Sequence, residues 1–303
     1  MTIRHFLDIA SHSPATLRAI LDEAHRLKAN GRGRLDLLPG RTLAMLFEQV
    51  STRTRFSFDL AMRELGGDTI IASGGEMQLG RGETLGDTAA VLSRYVDAIM
   101  IRMLDHEGLV AFAEEASVPV INGLTRRSHP CQILADIMTI EERLGPIEAR
   151  TVAWVGDGNN VAATFVEAAR RLGFRFKIAT PVEYDLAEDV VTAAKADGSK
   201  LEVGRDPYWA VKDADVVVTD TWTSMGDVDE DRRRSILTPF RVDDALMAAA
   251  APGAIFLHCL PAHRGDEVTD SVMDGPQSAV FDEAENRVHA QKAVLAWCFR
   301  AID

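Results

Sequence analysis

Short runs of β-branched and aliphatic residues alternate with amphipathic stretches along nearly the whole chain. This is the pattern of parallel sheets joined by crossover helices. In the first half the apolar runs fall at 42–47, 69–72, 98–102 and 118–121, with helical periodicity at 14–29, 53–65, 84–95, 108–116 and 130–143. Ser13-Pro14 opens the first helix with an N-cap and a proline at the first helical position. Gly145-Pro146 breaks the pattern, and a second strand series starts at Thr151-Val152-Ala153-Trp154-Val155 and continues at 174–179, 201–203, 215–219 and 254–258. The expected architecture is α/β: two doubly wound domains, 1–145 and 146–288, each with a central parallel sheet flanked by helices. A last helix near 289–301 has no strand after it, so residues 289–303 are expected to pack back on the first domain. No repeat of solenoid period and no low-complexity tract interrupts this order.

A length of 303 residues accommodates two such cores, and 47% hydrophobic with 26% charged residues is the composition of a water-soluble globular chain. No apolar run approaches the roughly 18 residues of a membrane helix, so no membrane partner is expected. Met1-Thr2-Ile3-Arg4-His5-Phe6 lacks the apolar core of a signal peptide, which predicts a cytoplasmic location. Cys131, Cys259 and Cys298 are too scattered for a disulfide framework or a Cys-x-x-Cys metal site. A formal charge of −13 argues against a nucleic-acid partner, and an anionic substrate therefore needs a local basic pocket. Asp229-Glu230-Asp231-Arg232-Arg233-Arg234 pairs acidic with basic residues and reads as a solvated surface loop.

Ser51-Thr52-Arg53-Thr54-Arg55 provides such a pocket. It follows the apolar run 42–47 and opens a helix, so hydroxyls and guanidiniums join the free amides of a helix N-terminus. Arg53 and Arg55 cannot share one helix face; one is expected to reach the ligand and the other to brace the loop. A lone Ser-Thr-Arg would read as a helix cap with solvated arginines. Gly156-Asp157-Gly158 follows a strand in the manner of a dinucleotide fingerprint, but Val161 replaces the third glycine and no acidic residue ends the next strand. The turn instead presents Asn159 and Asn160, which either bind a small carboxylate or cap the following helix. His129-Pro130-Cys131-Gln132 opens another helix, with Arg102 at a nearby strand end. Alone, His129 is more often a structural cap than a catalyst. His258-Cys259-Leu260-Pro261 and Asp220-Thr221-Trp222-Thr223-Ser224-Met225-Gly226 also follow strands. Singly, Cys259 is a small buried hydrophobe and Asp220 a turn residue.

Together, in this order, these strings resemble the aspartate/ornithine carbamoyltransferase family, and its ornithine branch more closely. The aspartate branch has Thr at the place of Cys131 and His-Pro-Leu-Pro at the place of 258–261. Gln49-Val50 departs from relatives that carry a Lys before the clamp. The resemblance implies transfer of the carbamoyl group of carbamoyl phosphate to the side-chain amine of L-ornithine, giving L-citrulline and phosphate, as in arginine biosynthesis. It implies that Ser51, Thr52, Arg53 and Thr54 hold the phosphate, that Arg102, His129 and Thr54 polarise the carbonyl oxygen, and that Gln132 holds the carbamoyl amino group. Arg287 closes over the site, and Cys259 and Leu260 add contacts to carbamoyl phosphate. Catalytic roles fall on Arg102, His129 and Cys259. Asp220 and Ser224 take the α-amino group of ornithine, while Asn160 and the Met225 amide take its carboxylate. The resemblance also implies a homotrimer, or a multiple of trimers, in which the loop 76–83 brings Gln78 to a neighbouring subunit's carbamoyl phosphate. No metal and no organic cofactor is implied. Other readings are a different amine acceptor such as putrescine or an acylated ornithine, an NAD-dependent oxidoreductase on the Gly156-Asp157-Gly158 turn, and an inactive interaction module.

Overall fold

The computed structural model describes residues 2–31, 33–74, 82–223 and 229–302. The chain forms two compact units, one of residues 1–135 with 286–303 and the other of residues 136–285. In the first unit the order is α1 (Pro14–Ala29), β1 (Thr42–Phe47), α2 (Thr52–Glu64), β2 (Asp68–Ser73), α3 (Leu85–Leu92), β3 (Ala98–Arg102), α4 (His106–Glu115), β4 (Val120–Leu124) and the start of α5 (Pro130–Leu144). Its parallel sheet has the order β2-β1-β3-β4. β1 is therefore central, and the direction of winding reverses between β1 and β3. Phe47 and Arg102 are register partners at the carboxyl ends of that pair. The crevice outside such strand ends is where open α/β sheets bind ligands. One face of the sheet packs Ala44, Leu46, Ile99 and Ile101 against Leu109 and Phe112 of α4.

The second unit runs β5 (Thr151–Val155), α6 (Asn160–Leu172), β6 (Arg175–Ala179), α7 (Glu188–Ala196), β7 (Leu201–Gly204), α8 (Pro207–Val211), β8 (Val216–Val218), α9 (Glu230–Leu237), α10 (Asp244–Ala248), β9 (Ile255–Leu257), α11 (Asp270–Met273) and the start of α12 (Val280–Cys298), which from Asn286 onward belongs to the first unit. Its parallel order is β7-β6-β5-β8-β9, with the winding reversal between β5 and β8. Except for the edge strand β7, which is partly exposed, those strands are short and largely buried on both faces, as a sheet covered by helices requires. The tail of α6 shows how sequence sets a boundary: Arg170 and Arg171 occupy its last turn and Gly173 ends it at φ 75°.

Two features differ from the sequence reading. The last helix begins at Val280, well before residue 289, with Asp282 and Glu283 in its first turn complementing the helix dipole. The charged run 229–234 enters helix α9 instead of forming a surface loop.

Within the first unit, α12 is tied to α2 by a buried ion pair, Lys292 Nζ to Glu64 Oε2 at 2.9 Å. A second tie joins Lys28 Nζ to Asn286 Oδ1 at 2.7 Å. Lys292 is wholly buried. Removing one partner of such a pair strands the other charge in a low-dielectric interior and costs roughly 3–5 kcal/mol. Denaturant titration is expected to show that loss for Lys292→Met and a smaller one for the double replacement Glu64→Gln with Lys292→Met; equal losses would show that the pair is not coupled.

Candidate active site

In the first unit the site is built on one hydroxyl. Ser51 caps α2, its Oγ accepting from the Thr54 amide at 3.3 Å. Its hydroxyl also donates to Thr54 Oγ1 at 3.1 Å. Arg102, from the end of β3, donates to the same Oγ1 at 3.1 Å, and so does Arg287 of α12, also at 3.1 Å. A hydroxyl oxygen has two lone pairs, so three donors oversubscribe it. Arg287 also donates to Gln132 Oε1 at 3.0 Å. Thr54, Gln132, His129 and Arg287 are all buried. His129 precedes α5 and its carbonyl accepts from the Gln132 and Ile133 amides. Burial holds its imidazole well below the ordinary 6.5, and the Arg287 and Arg102 charges push in the same direction. His129 is therefore a neutral donor or acceptor beside two fixed cations. Beside this group opens a cavity of about 170 Å³, lined by Phe47, Val50, Ser51, Thr52, Arg55, Phe56 and Ser73. Arg55, not Arg53, is among its described lining residues, and Arg53 is only partly buried.

The second unit has its own cluster at the β5/β8 strand ends. Asn159 settles one open question: its Oδ1 caps α6, accepting from the Val161 and Ala162 amides at 2.9 and 3.2 Å. Its Nδ2 donates to Asp220 Oδ2 at 2.7 Å. Asn160 is the first residue of α6, and its carbonyl accepts from Thr164. The other oxygen of Asp220 accepts from the Thr221 amide at 2.7 Å and from the Cys259 thiol at 3.1 Å. Burial, then the Asp220, Glu283 and Asp136 carboxylates, push the Cys259 thiol well above its usual range, so it stays protonated and donating.

Asp220, His258 and Cys259 place donor atoms within 4.8 Å of one another, a grouping that could hold a metal ion. The two ring nitrogens of His258 are engaged, however. Its Nδ1 accepts from the Leu260 amide at 2.9 Å, which leaves Nε2–H to donate to Glu267 Oε1 at 3.2 Å. The imidazole therefore orients the loop. Glu267 also accepts from the His263 amide at 2.5 Å, and Glu283 accepts from the His258 amide at 2.8 Å.

Among the sequence-predicted residues, the fold brings Ser51, Thr54, Arg102, Gln132 and Arg287 into one hydrogen-bonded group, with His129 in the electrostatic field of both arginines. It joins Asp220 to Cys259, with Leu260 next in the same loop. Thr52 lines the adjoining cavity. Gln78, Ser224 and Met225 lie outside the described residues. Glu267 and Glu283 stand outside any motif and carry no local signal in the sequence, and Arg233 lies in the mixed-charge run 229–234, which reads as solvated surface.

Two family models match the chain: "Aspartate/ornithine carbamoyltransferase, carbamoyl-P binding domain" over residues 4–142, and "Aspartate/ornithine carbamoyltransferase, Asp/Orn binding domain" over residues 148–298. The chain belongs to the aspartate/ornithine carbamoyltransferase family. The ornithine carbamoyltransferase of Rhodopseudomonas palustris strain BisA53 is 58% identical, over 99% of this chain and 98% of its own. That of Bradyrhizobium diazoefficiens is 57% identical with the same two coverages. Among solved structures, ornithine carbamoyltransferase from Pyrococcus furiosus superposes with a TM-score of 0.94 at 47% identity, covering all of both chains. The anabolic ornithine carbamoyltransferase of Campylobacter jejuni gives 0.92 at 38% identity, over 98% of this chain and 99% of its own.

The state of His129 has a consequence for stability in this family member. The unfolded chain takes up a proton near pH 6.5 that the native imidazole refuses. Stability is therefore fully present above that value and is lost as pH falls below it. His5 and His106 are lowered by burial too. His129→Gln is thus expected to reduce, without abolishing, the decline of Tm between pH 6.5 and about 5. A decline as steep as the wild type's would contradict a neutral buried His129.

Proposed function

We propose that this protein transfers the carbamoyl group of carbamoyl phosphate to the side-chain amine of L-ornithine, releasing L-citrulline and phosphate, a step of arginine biosynthesis. The protein is a carbamoyltransferase, and relatives 57–58% identical across nearly their full length bear the ornithine name. The single observation that carries the chemistry is the convergence of Arg102 and Arg287 on Thr54 Oγ1. Guanidiniums fixed beside one buried hydroxyl, next to the capped N-terminus of α2, form a preorganised site for a phosphate and for a developing oxyanion.

In this reading residues 1–145 bind carbamoyl phosphate and residues 146–288 bind ornithine. Ser51, Thr52, Arg53 and Thr54 hold the phosphate, with Arg55 available at the cavity wall. Arg102, His129 and Thr54 stabilise the carbonyl oxygen as the amine attacks the carbamoyl carbon. Gln132 and Arg287 hold the carbamoyl end. Cys259 and Leu260 contribute from their strand end. Asp220, already holding Asn159 and the Cys259 thiol, retains acceptor capacity for the α-ammonium, and Asn160 faces the carboxylate. Ser224 and Met225 are assigned to ornithine by resemblance alone. The new C–N bond forms as the bond to the phosphate oxygen breaks. The amine proton passes to the departing phosphate dianion. The attacking amine must be neutral, although a free alkylammonium titrates near about 10.4.

The same reading places the enzyme in the cytoplasm as a homotrimer, or a multiple of trimers, with Gln78 reaching a neighbouring subunit's carbamoyl phosphate. No cofactor enters the scheme. Apolar exposure supports a covering copy at the clamp: Val50 is 76% exposed and Phe56 70%, and both line the cavity. Light scattering is expected to give about three times the chain mass of 33.1 kDa, or a multiple of that. A monomer of full activity would remove Gln78 from the scheme.

Purified protein is expected to form citrulline from L-ornithine and carbamoyl phosphate, and no corresponding product from aspartate or putrescine. Product from putrescine but not ornithine would move the acceptor to another amine. Arg102→Ala is expected to lower kcat by roughly 10²–10³-fold, the cost of removing one oxyanion donor. The rate is expected to climb from about pH 6 towards alkaline values as the free-amine fraction grows. A rate that falls across that interval would refute attack by the neutral amine.

A further inference from the structure

Helix α9 returns one residue to the amine-side cluster. Arg233 Nε donates to the Trp222 carbonyl at 2.7 Å, and its Nη2 donates to Asp157 Oδ2 at 2.5 Å. The guanidinium lies over the Tyr184 ring, 4.2 Å from its centroid. Arg233 and Asp157 are only 17% and 16% exposed at their side chains, so this is not a solvated surface pair. Trp222 lies two residues after Asp220, and Asp157 lies two residues before Asn159. One guanidinium thus grips the two backbone segments whose side chains meet in the Asn159–Asp220 hydrogen bond. A further stitch between the same strand ends is Thr219 Oγ1 donating to the Val155 carbonyl at 2.6 Å. The turn between them is tight. A Cβ on Gly158 would stand 2.5 Å from the Leu186 amide, and one on Gly156 would meet Thr219 and Trp222. The turn is therefore fixed from behind by packing and from the α9 side by Arg233.

We infer that Arg233 is a positioning residue for ornithine recognition, clamping the Gly156–Asn159 turn to the Asp220–Trp222 segment so that Asn159 and Asp220 present a fixed acceptor to the ammonium of the substrate. This rests on the functional reading given above. A fork with separate donors and a flat face is needed to hold a carbonyl, a carboxylate and an aromatic ring together; an ammonium can satisfy the charge but not all three. The role is one of substrate binding on the ornithine side, because both gripped segments belong to that unit.

The test is steady-state kinetics on the full chain with Arg233→Met, Arg233→Lys and Asp157→Asn, with Tm measured alongside. Arg233→Met and Arg233→Lys are both expected to raise the KM for L-ornithine about tenfold, in the range that small displacements of positioned groups produce. The KM for carbamoyl phosphate stays at the wild-type value. Arg233→Lys keeps the charge facing Asp157 and holds Tm closer to wild type than Arg233→Met does, which separates positioning from stability. Adding Asp157→Asn to Arg233→Met is expected to raise the ornithine KM by less than the product of the two single effects. Citrulline from the wild type with an unchanged ornithine KM in both Arg233 variants overturns the inference alone. A rise of both KM values in equal proportion also overturns it. Absence of citrulline from the wild type overturns the functional reading and this inference with it.

Discussion

Two guanidiniums on one buried hydroxyl form the constraint around which the first unit is arranged. Arg102 and Arg287 carry like charges, and each stands 3.1 Å from Thr54 Oγ1. Their combined field is registered at His129, whose imidazole burial and both charges keep neutral. Holding cations together in a buried site opposes folding unless other contacts fix them. Here Arg102 is fixed by its place at a strand end and Arg287 by a helix locked through Lys292 and Asn286. An oversubscribed acceptor is poised to be relieved by an anion richer in lone pairs, and a phosphate is such an anion.

Topology explains why the chemistry collects where it does. Each sheet reverses its winding once, between β1 and β3 and between β5 and β8. At each reversal two adjacent strands send their connections to opposite sides, leaving a crevice at their carboxyl ends. The clamp and Arg102 occupy the first crevice. The Asn159 turn and Asp220 occupy the second. The chemistry differs accordingly: the first is rich in cations around a neutral hydroxyl, while the second centres on a carboxylate fed by an amide and a thiol. An anion suits one and an ammonium suits the other.

Much of this was legible in the linear chain. Buried parallel strands write themselves as continuous aliphatic runs, and 42–47, 98–102 and 151–155 have the same limits in the fold as in the sequence. Ser51, Arg102, His129, Asp220 and Cys259 stood out because polar residues immediately follow or end such runs. Arg287 came from the family resemblance alone, since the sequence reading starts its helix near 289 and the fold starts it at Val280. What escaped were residues whose role depends on distant partners. Arg233 sits in a run of mixed charge that normally signals a solvated surface, and only the folded chain brings it to Asp157 and Trp222. Glu267 has no motif around it, yet it orients His258 and the loop that carries Cys259. Asn159 was left between ligand and cap by its sequence context; the fold makes it a cap that also holds Asp220.

The central claim is a division of labour: a cation-rich hydroxyl hub for carbamoyl phosphate in one unit and a carboxylate cluster for the amine in the other. Calorimetric titration of carbamoyl phosphate in the absence of ornithine tests it most directly, using Thr54→Val and Asp220→Asn beside the wild type. The account predicts binding that is abolished or severely weakened in Thr54→Val and unchanged in Asp220→Asn. Wild-type affinity in Thr54→Val, or loss of binding in Asp220→Asn, would contradict it.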